Sequence, residues 1–199
     1  IIDEIPDNPL LVLSIDNVSD LDYKTINFIS KSTNLNFDDI NLLNPTQELI
    51  YSFHNSGKNN LNGIIIQKSE LIDIDPVHVS DTIIYNESII LNYKDFFISK
   101  KSEYVIISKE KLLVENVLRD ATFNKNDSFK DFKRLHSSKT KNISLTTSEN
   151  YKNLKFNLKN ENISNFSNWI QYEFDLENDD INILGVSKRD KGNREINII

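Results

Sequence analysis

Between residues 81 and 108 four apolar runs follow one another closely: Thr82-Ile83-Ile84-Tyr85, Ile89-Ile90-Leu91-Asn92-Tyr93, Phe96-Phe97-Ile98-Ser99 and Tyr104-Val105-Ile106-Ile107. Each is short and rich in β-branched and aromatic residues, the composition that fits a pleated surface. The polar spacers hold only two to four residues. Parallel neighbours need a crossover of a dozen residues or more, so spacers this short predict an antiparallel meander.

Upstream, Leu10-Leu11-Val12-Leu13-Ser14-Ile15 is a continuous apolar run and reads as a buried strand. Ser19 followed by Asp22 predicts a capping box and a helix to about Ser30, with Leu21, Thr25, Phe28 and Ile29 facing inward. Glu48 to Phe53 and Gly63 to Gln67 flank a polar Asn55 to Asn60 stretch and predict a β-hairpin with a long loop.

Downstream, Ser108 is the expected cap of an amphipathic helix through Leu112, Leu113, Val117 and Leu118. A second helix is expected from Asp127, burying Phe129, Phe132 and Leu135. Strands then resume at Asn142 to Thr146, Trp169 to Leu176, Ile181 to Val186 and Glu195 to Ile199. With four Gly, four Pro and no linker-like segment in 199 residues, these elements belong to one continuous fold. The prediction is a single α+β domain over residues 1–199, a mostly antiparallel β-sheet with two to four helices packed on one face.

Composition narrows function by exclusion. A net charge of −7 disfavours a general nucleic-acid binder, which needs a surplus of Lys and Arg to neutralise phosphates. The absence of Cys removes disulfides, thiolate nucleophiles, iron–sulfur ligation and Cys-type zinc sites. No apolar run approaches the ~18 residues of a membrane-spanning helix. The chain opens at Ile1 without Met, from which a processed product or an excised piece is expected.

No pattern nominates a catalyst. His54, His78 and His136 are far apart in sequence and form no metal-binding spacing, and no G-x-S-x-G motif is present. Gly57 and Gly63 fit neither a P-loop nor a dinucleotide fingerprint. Carboxylates cluster at Asp16/Asp20/Asp22, Asp73/Asp75 and Glu177/Asp179/Asp180, where caps and turns are their plainest roles. No catalytic residue, cofactor or metal site is therefore expected. Lys130, Lys133, Arg134, Lys139 and Lys141 form a basic segment with two readings. Lys130, Lys133 and Arg134 contact an anionic partner, or they are the solvated face of the helix that buries Phe129, Phe132 and Leu135.

The run Tyr104 to Arg119 resembles an uncharacterised family of exported proteins, many of them lipoproteins, from Bacteroidetes-type bacteria. Ile5-Pro6 through Leu13, Asn126-Asp127-Ser128-Phe129, Asn168-Trp169 to Asp175 and Asn182 to Val186 are similar to further segments of that family in the same order. The resemblance implies an extracytoplasmic protein, periplasmic, outer-membrane-associated or at the cell surface, attached to the membrane only through an upstream lipid anchor. It also implies that the chain is the N-terminal part of a larger exported protein, and it brings no catalytic residues. Asp81-Thr82-Ile83 is similar to the sequon that such bacteria O-glycosylate, which makes Thr82 the candidate for modification.

The resulting expectation is a non-catalytic binding or scaffold module whose partner is an envelope or outer-membrane protein and not a nucleic acid. The alternatives are a glycan-active enzyme using carboxylates such as Asp73 or Asp75, and a carbohydrate-binding module using exposed Tyr or Trp169.

Overall fold

The computed structural model describes residues 1–17, 23–37, 47–56, 60–68, 75–151, 168–177, 180–188 and 195–198. Eleven strands, in chain order, are β1 (Pro9–Ile15), β2 (Leu49–Ser56), β3 (Asn60–Lys68), β4 (Val79–Tyr85), β5 (Ser88–Tyr93), β6 (Phe96–Lys101), β7 (Tyr104–Ser108), β8 (Ile143–Ser148), β9 (Trp169–Glu177), β10 (Asp180–Lys188) and β11 (Glu195–Ile198). All lie in one sheet, in the order β11-β10-β9-β8-β1-β2-β3-β7-β6-β5-β4, and each paired neighbour runs antiparallel. The helices are α1 (Tyr23–Thr33), α2 (Lys111–Leu118) and α3 (Phe129–Ser137). This is the α+β class that the sequence predicts.

The 81–108 stretch forms the expected meander, β4 to β7, closed by two-residue turns at Asn86-Glu87, Lys94-Asp95 and Ser102-Glu103. None contains Gly, so other residues take the left-handed conformation: Asn86 (φ 46°), Glu87 (65°), Lys94 (55°) and Ser102 (53°). At the inner end of the meander β7 pairs with β3, which joins it to the β2–β3 hairpin.

Strand alternation divides the core between two faces. On one face Leu11, Leu13, Ile15, Leu49, Tyr51, Phe53, Ile65 and Ile107 pack with Ile29 of α1 and with Phe37 and Tyr151. On the other, Val12, Ile50 and Trp169 meet Phe129, Phe132 and Leu135 of α3, while Ile64, Ile66, Ile90 and Ile106 meet Leu113, Val114, Val117 and Leu118 of α2. Two helices therefore share one face of the sheet, and α1 covers the opposite side instead of joining them as expected, because the inward residues of β1 and β2 alternate between two apolar faces. The α2–α3 segment is the long connection that carries the chain from β7 across β3, β2 and β1 to β8.

Helix starts differ in detail from expectation. Ser108 does not cap α2: its hydroxyl donates to the Gly63 carbonyl (2.8 Å) and accepts from the Glu110 N–H (3.0 Å). Glu110 is the N-cap, its carboxylate accepting from the Leu112 N–H at 3.4 Å. Because Ser108 is still in β7, its side chain serves the sheet. The second helix begins at Phe129, not Asp127, after Asn126 Oδ1 accepts from both the N–H and the hydroxyl of Ser128. The Ser19/Asp22 cap lies outside the described residues.

Gly63 on β3 faces the Tyr51 ring so closely that a Cβ there would meet Tyr51 Cε2 at 2.4 Å. Tyr51 cannot swing away, because it is stacked on Phe53 and meets Phe37 edge-on. Gly63→Ala is therefore expected to destabilise by about 1–3 kcal/mol, the usual range for overpacking a filled core. The urea midpoint would show it, and an unchanged midpoint would mean that Tyr51 relaxes freely.

Candidate functional site

The candidate residues occupy separate places. Thr82 is exposed on β4, the outermost strand, and its N–H is held by the Asp81 carboxylate at 2.8 Å. Lys130 and Arg134 are exposed one turn apart on α3. Lys133 reaches Asp3 (3.2 Å) and lies over the Phe129 ring, 5.5 Å from its centroid. Lys139 pairs with Asp16 and donates to Ser14 Oγ (3.0 Å), and Lys141 pairs with Asp175. Three cations of the basic segment thus have acidic partners within the fold, and Lys130 with Arg134 is what it presents outward.

The carboxylate clusters do not converge where they can be followed. Asp75 accepts from the Val77 N–H (3.0 Å) and so caps a short 3-10 turn. Asp73, Asp20, Asp22 and Asp179 lie outside the described residues, and Asp180 is exposed at the start of β10. Among the described residues no group of three or more His, Asp or Glu side chains could hold a metal ion.

The three histidines are equally scattered. His54 is buried, bonded through Nε2 to Ser52 Oγ (2.9 Å) and through Nδ1 to the Asp7 carbonyl (3.1 Å). His136 stacks on Phe132, and His78 sits at the surface beside Asp75 and Tyr93. Burial pushes both His54 and His136 down to about 4, with the Lys139 cation adding to the effect at His136.

Trp169 is only 3 % exposed and packs against Phe123 and Phe132, so its ring faces are not a platform for a sugar. Lys101 links three segments, with its ammonium 2.7 Å from Glu4, 2.6 Å from Asp120 and 2.8 Å from the Val117 carbonyl. Burial alone would push that ammonium down, but the two carboxylates outweigh it and hold it above its ordinary value.

Two features were not read from the sequence. The first is the outer end of the meander. Ile84 and Ile89 are direct cross-strand partners on one face, exposed by 81 % and 57 %. Alternation within β4 and β5 assigns both residues to one face, but which strand is outermost is a tertiary fact. The second is a pocket of about 220 Å³ where the start of β1 meets the end of β8 and the start of β9. Its lining is distributed over residues 8 to 169, so no local motif announces it.

No protein-family profile, curated protein or solved structure matches the chain.

Proposed function

We propose that the chain is a non-catalytic extracytoplasmic binding module, an accessory lipoprotein subunit of a bacterial outer-membrane or cell-surface complex. The single observation that carries the binding reading is the exposed apolar pair Ile84 and Ile89 at the free end of the sheet. Two adjacent exposed isoleucines are surface that a partner would remove from water. Asp81 occupies the Thr82 N–H and so blunts the strand edge, which leaves the apolar face as the surface that a folded envelope protein covers. The extracytoplasmic placement rests on the sequence resemblance alone. The non-catalytic reading is supported by the bonding of ionisable groups within the fold: the buried His54 and Glu173 and the partly buried Lys101 all have partners there.

The test is recovery of the protein from detergent-solubilised membranes of its own cells, with mass spectrometry of what remains attached at stoichiometric levels. An envelope protein is expected with the wild type and lost with Ile84→Lys/Ile89→Glu, whose opposite charges face each other across the strands. Each substitution at these exposed positions is expected to change stability by no more than about 0.5 kcal/mol, so loss of the partner would not reflect unfolding. Recovery of the wild type from the soluble fraction, alone, would overturn the reading.

A further inference from the structure

We infer that the pocket between β1, β8 and β9 is a binding site for one uncharged sugar ring. The inference is independent of the meander surface and rests on four observations.

The floor carries an unfinished hydrogen bond. Ser148, the last residue of β8, is 8 % exposed and its hydroxyl has no hydrogen-bond partner, yet it lines the pocket. A buried hydroxyl left unbonded is costly, so a ligand atom in the pocket that the Ser148 hydroxyl turns to meet would stabilise the site. The rest of the floor is apolar, made by Phe123 and by Trp169, the cross-strand neighbour of Ser148. This suits the C–H surface of a sugar, although burial of the Trp169 ring rules out the face-on stacking that the sequence suggested.

The rim supplies amides. Asn150, which follows β8, and Asn168, which precedes β9, line the same opening, while the Asn126 amide beside them is already bonded to Ser128 and Asp7. An amide both donates and accepts, as does each ring hydroxyl of a sugar, so adjacent hydroxyls can be matched without any charge. The one ionisable lining residue is Glu149, an exposed carboxylate, which disfavours phosphorylated or carboxylated ligands.

Size sets the limit. A volume of about 220 Å³ is below the ~300–1,000 Å³ of sites for drug-sized ligands and accommodates a single ring. The ring could be a free monosaccharide or the terminal residue of a glycan, and the chemistry of recognition is the same for both.

The lone Trp in the chain is Trp169, so its fluorescence reports on the pocket without interference from another indole. The whole chain would be titrated with glucose, galactose, mannose and N-acetylglucosamine, and with their methyl glycosides, by Trp emission and by calorimetry. A saturable response to at least one of them is expected. A methyl glycoside that binds as well as the free sugar identifies a chain-terminal residue, and one that fails identifies the free sugar. Asn150→Ala, at an exposed rim position, is expected to weaken binding roughly three- to tenfold with an unchanged melting temperature, the effect of one or two neutral hydrogen bonds. Ser148→Val is expected to abolish binding by filling the floor. No saturable response to any of the sugars overturns the inference, and so does a response that Asn150→Ala leaves at full strength.

Discussion

Glu173→Leu is expected to lower the stability of the fold by about 2–4 kcal/mol, through loss of the hydrogen bonds that its carboxylate accepts. Glu173 lies on β9 and is 2 % exposed. Its Oε2 accepts from the Thr140 N–H (2.8 Å), the Thr140 hydroxyl (2.7 Å) and the Lys141 N–H (3.1 Å). Oε1 accepts from Gln171 Nε2 at 3.0 Å. One carboxylate thus satisfies the two backbone donors of the link that returns the chain from α3 to β8. Leu fills similar volume but offers those donors no acceptor. Glu173→Gln keeps an acceptor oxygen for the Thr140–Lys141 donors and is expected to lose roughly 1–2 kcal/mol. Urea denaturation of both variants checks the ordering. Equal losses for Leu and Gln would show that the link does not depend on an acceptor at this position.

Stability is also expected to fall as the pH is lowered from about 6.5 toward 4, through His54 and His136. Both have folded-state values depressed from 6.5 to about 4. Above 6.5 they are neutral whether the chain is folded or not, and their contribution is fully present. Below 6.5 the unfolded chain takes up protons that the folded chain refuses, so stability is lost. Below about 4 both states are protonated and the loss levels off. The slope is about 1.4 kcal/mol per pH unit for each histidine, so the full window is worth roughly 3 kcal/mol per residue.

Measurements between pH 6.5 and 5 isolate this contribution, because carboxylates with ordinary values have scarcely begun to titrate there. His54→Gln is expected to remove about half of the slope, since an amide can donate to the Asp7 carbonyl and accept from Ser52 without titrating. Denaturation midpoints that stay constant over this range would show that the rings are not shielded from solvent.

Much of the fold is legible in the chain. The runs from Thr82 to Ile107 fix a meander because their spacers are too short for any other connection. Phe129, Phe132 and Leu135 fix the buried side of α3 because they recur at helical spacing, and all three are buried. The helix starts were misplaced where a Ser could serve either a cap or a strand. Ser108 faces the neighbouring strand β3, so its hydroxyl bonds to Gly63 and the capping role passes to Glu110. Trp169 on an apolar strand was open to two roles, and its packing against Phe123 and Phe132 makes it core. The basic segment admits two readings in the sequence, and the ion pairs of three of its lysines with Asp3, Asp16 and Asp175 are set by residues distant in sequence.

The sequence by itself determined the element types, the antiparallel joining of neighbours and the class of the fold, because hydrophobic period and spacer length are local quantities. Tertiary structure alone decided which strands lie at the centre, which strands end the sheet and which polar side chains are buried. Those properties depend on contacts such as Glu173 with Thr140 or Ser148 beside Trp169. A buried carboxylate and an exposed isoleucine are each set by what the rest of the chain places over them, and no window of sequence contains that information.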